Sequence, residues 1–200
     1  MKTINPVISA FWNWFIDHEK QYLDDQSPDF ETKLDELLMK IQEYSTAVFF
    51  EIFADTNGDS VLVFTTDGNK EAFPVVDKLV SYAPQISGWT FCALKPPMQR
   101  EFVIHLDNVK IDTNELVFES LKSTVSSDRM GLRIFFKKYN PVHHEELMFG
   151  VQLMLRTILG ERSAAHDISH IEVQKLPSGR RDLTAIKNLP EYLLMYKSMK

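Results

Sequence analysis

A single cysteine stands in this chain of 200 residues, at position 92. One thiol makes no internal disulfide, so no oxidising compartment is implied. Glycine is scarce as well, with seven in all. None falls into G-x-x-x-x-G-K, a dinucleotide G-x-G-x-x-G fingerprint or a G-x-S-x-G elbow, and there is no C-x-x-C. The enzyme classes most visible in a sequence therefore lack support. Long apolar runs are missing too, since no window approaches the ~18 uninterrupted apolar residues of a membrane span. The opening MKTINPVISAFWNWF is apolar, but Asn5-Pro6 and Asn13 interrupt it and no small-residue cleavage site follows, so it does not read as a signal peptide. Clustered bases are absent from the first half, where 15 acids face 8 bases within a formal net charge of −6. Phosphate neutralisation needs clustered Lys and Arg. The expectation is a cytoplasmic protein without nucleic-acid partner, membrane span or cofactor.

What is present is an ordinary globular composition, 44% hydrophobic and 25% charged, in a length suited to one domain. Asn5-Pro6 is a helix start with proline at the first turn, and Ile8, Phe11, Trp12 and Phe15 recur at helical spacing over residues 6–23. Ser27-Pro28 repeats the signal ahead of Phe30, Leu34, Leu37, Leu38 and Ile41, so the first 45 residues read as a helical pair whose aromatic stripe needs a sheet to cover it. The period then changes. VFFEIFAD and SVLVFTT flank Asn57-Gly58, a strong hairpin signal. A helix follows with Phe73, Val76, Leu79 and Val80 on one face, then a strand GWTFCAL that Pro96-Pro97 stops. Residues 101–119 read as short strands, and Met130 to Tyr139 as a strand. Asn140-Pro141 starts a helix ended by Gly160, HDISHIEVQKL (166–176) reads as a strand, and Leu189 to Met199 as a terminal helix. The fold class expected is α+β, with a mixed, mostly antiparallel sheet packed by helices, in one domain over 1–200: a helical pair (1–45) and a sheet-containing body (46–200). Two strand–helix–strand stretches, 60–94 and 130–176, hint at an internal duplication.

Candidate chemistry is thin. Cys92 falls mid-strand with no neighbouring cation, the setting of a buried structural thiol rather than a nucleophile. DTNGDS imitates the opening of a calcium loop, but Ser60 and Thr66 occupy the positions that need glycine and glutamate. The histidines are the better metal candidates. His143 and His144 open a helix, while His166 and His170, four apart in the expected strand, share a face with Glu172. Imidazole and carboxylate are competent zinc ligands, and the two groups would form a site if helix start and strand met in space. A solvated polar face is the plainer reading. Asp128 and Arg129, with Glu161 and Arg162, could form an acid and anion-binding set, with surface ion pairs as the plainer reading, and Gly179-Arg180-Arg181 is a weak phosphate-loop signal.

The segment TTDGNKEAFPVVDKLVSYAPQISGWTFCALKPP, with LRTILGE later, resembles a group of uncharacterised bacterial proteins of similar length. Their shared pattern is a TxDG turn, an FPxVxxLVxxAP helix, a GWxxxAxKPP strand and an LGE segment. The resemblance implies a bacterial cytosolic protein and transfers no catalytic residue.

Aromatic residues and methionines spread beyond one helical face at both ends of the chain, in Phe11-Trp12-Asn13-Trp14-Phe15 and in Tyr192 to Tyr196. Such side chains are favoured at partner sites. The functional expectation is a non-catalytic domain that binds another protein or itself. The alternative is a metal-assisted hydrolase using His143, His144, His166, His170 and Glu172.

Overall fold

The computed structural model describes residues 5–98, 100–122 and 128–199. The fold is α+β with mixed sheets and an N-terminal helical pair. The chain divides into two compact units between Lys95 and Pro96, at the proline pair that closes the strand before it. Among the described residues, no helix is long and apolar enough to cross a membrane.

The first unit opens with α1 (Pro6–His18), capped by Asn5, whose side chain accepts a hydrogen bond from the Val7 amide at 3.0 Å. A 3₁₀ turn follows, then α2 (Phe30–Gln42). Its start lies two residues beyond Ser27-Pro28, and no side chain caps it. Strands β1 (Phe49–Ala54) and β2 (Ser60–Thr65) form an antiparallel hairpin. Its loop is three residues long rather than the two that Asn-Gly favours. The Gly58 amide donates to Asp55 O, and Gly58 takes φ +88°, the left-handed conformation that closes such loops. Helix α3 (Phe73–Val80) carries the chain to β3 (Trp89–Ala93), which pairs parallel to β2 and leaves β2 central.

The apolar stripe of α1 meets the face of the sheet that carries Phe64 and Phe91. Trp12 lies 5.7 Å from Phe64 and 4.8 Å from Phe91, both edge-on. Phe15 packs edge-on against Trp89 and stacks on Tyr22. Burying each ring contributes about 2–3 kcal/mol, and edge contacts add a few tenths to ~1 kcal/mol more. The indole N–H groups are satisfied as burial demands: Trp12 donates to Leu79 O and Trp89 to a Glu19 carboxylate oxygen.

The second unit starts with a small antiparallel pair, β4 (Val103–His105) and β5 (Lys110–Asp112). The main sheet has the order β8-β7-β6-β9. Its strands are β6 (Val117–Lys122), β7 (Met130–Phe136), β8 (Ile168–Lys175) and β9 (Thr184–Ala185). Helix α4 (His144–Leu159) leaves β7, and α5 (Glu161–Asp167) leads into β8, which is parallel to β7. Gly160, at φ +76°, separates the two helices. Helix α6 (Leu189–Ser198) closes the chain. The core gathers alternate residues of β7 (Met130, Leu132, Ile134, Phe136) with the apolar face of α4 and with Leu189 and Leu193 of α6. Gly150 sits within α4, where glycine costs about 1 kcal/mol of helix propensity. The reason is space: an added methyl would lie 2.4 Å from the Ile111 side chain of β5.

Two expectations are corrected here. Residues 166 and 167 belong to α5, so His166 is in the last helical turn and does not share a strand face with His170. Glu161 is fully buried rather than on the surface. The helical pair, α1 and α2, is part of the unit that holds β1–β3. Both units share one connectivity, an antiparallel strand pair, then helix (α3 in the first unit, α4 and α5 in the second), then a strand parallel to the second strand of the pair.

Candidate functional site

The histidine groups open at opposite ends of one strand. His170 pairs in register with Gly131 near the start of β7, whereas His143 and His144 follow its last residue, Phe136. Five strand residues separate those levels, about 17 Å at the usual rise per residue. Each group has local partners as well. His144 Nδ1 is 2.9 Å from the Tyr139 hydroxyl, and His143 Nδ1 is 3.7 Å from a Glu146 oxygen. His170 Nδ1 is 3.0 Å from the Ser169 hydroxyl, and Glu172 accepts from Arg133 Nε at 2.7 Å. Among the described residues, no three His, Cys, Asp or Glu side chains gather to hold a metal.

Arg133, Arg180 and Arg129 have local partners too. On the sheet face opposite the helices, Arg133 lies between Glu119 of β6 and Glu172 of β8, at 2.6 and 2.7 Å. Arg180 reaches in from the loop after β8 and donates to both oxygens of Asp182 and to Glu119. Its guanidinium lies 6.0 Å above the ring of Phe135, which is buried on this face. The Arg180 hydrogen bond and, against some desolvation, the Arg133 one hold the Glu119 carboxyl below its ordinary range. Arg180 is therefore a structural clamp on its own loop, not a free phosphate ligand. Arg129 likewise donates to the carbonyls of Ala165 and Ile168, where α5 passes into β8.

Cys92 lies in β3 opposite Val63 and is partly exposed. Burial pushes its thiol above the ordinary range. A reactive thiol needs the reverse shift.

The feature that stands apart is the outer edge of β1. The Asp55 amide donates to Asp59 O at 2.8 Å, so those two residues form a hydrogen-bonded pair at the hairpin end. Antiparallel pairs alternate, which turns the backbone groups of Phe53, Glu51 and Phe49 toward β2 and those of Phe50, Ile52 and Ala54 outward. The far side of β2 agrees with this phase: the Ser60 amide donates to Gly88 O, and Phe64 O accepts from the Leu94 amide. Among the described residues, no backbone group meets the outward set of β1.

Natural edge strands are blunted by brevity, proline, bulges or charge. β1 runs six residues in unbroken register, and FFEIFA holds no proline. Its one charge, Glu51, is neutralised within the molecule by Lys95 Nζ at 2.6 Å. Phe49 and Phe53 flank Glu51 on the face opposite the one that α1 covers, 39% and 45% exposed. Those values decide the matter, because burial elsewhere in the strand pair is confined to β2. In the sequence the only sign was five apolar residues in six without strict alternation, which does not separate a buried strand from an open one.

No protein family, curated protein or solved structure matches this chain.

Proposed function

We propose that this protein is a non-catalytic association domain that adds a strand of a second copy of itself to the free edge of β1. The observation that carries this reading is the unblunted edge, with outward backbone groups at Phe50, Ile52 and Ala54 and exposed Phe49 and Phe53. Strand addition takes its affinity from main-chain hydrogen bonds and its selectivity from alternate side chains. The second copy is favoured by register. A two-fold axis normal to the sheet at Ile52 pairs Ile52 with Ile52 of the other copy, and Phe50 with Ala54. The outward groups then exchange about six hydrogen bonds, and Glu51 falls opposite Phe53. An axis at Glu51 would set the two glutamates face to face, which like charge disfavours. The lone cysteine and the absence of a disulfide support a cytosolic setting for this association.

Strand pairing alone makes a small interface, so the dimer belongs in the micromolar range. Sedimentation velocity over a concentration series tests it. The native chain is expected to move from monomer to dimer. Phe53→Lys places a cation on the edge, and Ala54→Pro removes an outward donor while leaving the β2 ladder whole. Both variants are expected to stay monomeric with unchanged secondary structure. A native chain that is monomeric throughout, or variants that dimerise as it does, would sink the reading.

A further inference from the structure

At the carboxyl end of β7 lies a cleft of about 420 Å³, formed within the second unit between β5, the turn after it and the loop that leads into α4. Strand β7 pairs parallel to β8, and in open parallel α/β sheets the carboxyl end takes the ligand. Three lysines line the cleft, Lys110, Lys137 and Lys138. All three residues are exposed, and among the described residues none of them forms an ion pair. Elsewhere among the described residues Lys33, Lys40, Lys95 and Lys197 each sit within 3 Å of a carboxylate, whereas Lys20, Lys70, Lys78 and Lys175 stand singly without an ion pair. What sets Lys110, Lys137 and Lys138 apart is that all three line one cavity.

The rest of the lining narrows the chemistry. Leu116, Phe136 and Leu147 supply buried apolar floor. Asp112 and Glu115 bring carboxylates to the same cleft, and neither has a cationic partner among the described residues. Asp112 uses one oxygen to accept the Asn114 amide, leaving its other oxygen as an acceptor. The amides of Val142 and His143 are taken by Asn140, so an anion here would be held by lysines and not by the helix start. Lysine binds phosphate as a point charge, without the fixed fork of arginine.

We propose that this cleft binds a small phosphate monoester whose organic part carries hydroxyl groups, the phosphate set among Lys110, Lys137 and Lys138 and the hydroxyls donating to Asp112 and Glu115. The three lysines neutralise the dianion. The two carboxylates discriminate against a bare anion and for a polyol body.

The probes are ribose 5-phosphate, inorganic phosphate and ribose, each titrated by calorimetry into the full-length protein. Saturable binding of ribose 5-phosphate is expected, weaker at high salt, with inorganic phosphate several-fold weaker and ribose silent. Lys137→Gln and Lys138→Gln, both at exposed positions, are each expected to weaken ribose 5-phosphate about tenfold, the size of one charge-assisted contact. Asp112→Asn is expected to narrow the gap between ribose 5-phosphate and phosphate. No saturable binding of ribose 5-phosphate overturns the proposal. So does equal binding by the Lys137→Gln/Lys138→Gln double variant with native secondary structure, or equal affinity for phosphate and its ester. The dimer through β1 stands or falls separately, since neither lysine lies in the first unit.

Discussion

Replacing Gly131 by alanine should destabilise the protein through one identifiable collision. Gly131 lies in β7 opposite His170, beside a register irregularity between Met130 and Gly131. A methyl carbon built there would stand 2.1 Å from His170 Cε1, 2.7 Å from Nε2 and 2.8 Å from Nδ1, where ordinary contact begins near 3.4 Å. The imidazole must leave, and it gives up its hydrogen bond with Ser169. Forcing a group into filled space costs about 1–3 kcal/mol, and the lost bond about 0.5–1.5 kcal/mol. Against this, alanine gains about 0.5–1 kcal/mol over glycine through lower backbone entropy in the unfolded chain. The net expectation is a loss of about 1–2 kcal/mol. His170→Ala alone removes a partly exposed ring and its one short bond, and should cost less than about 1 kcal/mol. In that background Gly131→Ala should become neutral or stabilising, so the double-mutant cycle should show a coupling of about 2 kcal/mol. Urea unfolding followed by circular dichroism measures all four proteins, with the slope checked for constancy because two units need not unfold as one. If Gly131→Ala costs the same with and without His170, the collision is not the cause and the reasoning fails.

Three further outcomes are expected. Burial pushes the Tyr22 phenol up to about 12, opposed by a hydrogen bond from Gln21 and reinforced by the Glu36 carboxylate. The folded state thus favours neutral tyrosine: its contribution is complete below the unfolded value near pH 10 and fades as pH rises from about 10 to 12. Alkaline unfolding monitored over that window should lose this component in Tyr22→Phe; an unchanged profile would refute it. Cys92, with its thiol pushed up by burial, should react with an aromatic disulfide reagent more slowly at pH 8 than the unfolded chain does, and fast single-site labelling would overturn the structural assignment. Leu94 holds φ +66° while 3% exposed, so Leu94→Gly loses the buried side chain but relieves about 1–2 kcal/mol of left-handed strain. Denaturation should therefore find Leu94→Gly less damaging than Leu94→Ala, the reverse of the usual order in an extended chain.

Much of the fold was legible because its signals are local. Asn5-Pro6 and Asn140-Pro141 mark true helix starts, since proline's missing N–H and asparagine's accepting oxygen act within one turn. The stripe of Phe11, Trp12 and Phe15 required a sheet, and Phe64 and Phe91 supply it. Other features escaped because their causes are distant in sequence. Nothing near Glu161 or in α5 predicts a buried carboxylate and a second helix directly after Gly160. The two-residue strand β9 exists only because β6 offers it an edge.

The sequence alone marked helix starts at Asn5-Pro6 and Asn140-Pro141 and determined that β7 sends alternate residues to one core, because capping, turn chemistry and hydrophobic period act over a few bonds. Only the tertiary structure decided what the polar residues are for. It placed His170 beside the start of β7 and His143 and His144 beyond its last residue, where ligand spacing along the chain had left convergence open. It tied Arg180 to Glu119 and Asp182, left Lys110, Lys137 and Lys138 without ion-pair partners among the described residues, and opened the edge of β1. The physical reason is range: an ion pair or a free edge depends on which groups share a few ångströms after folding, and chain order does not encode that distance.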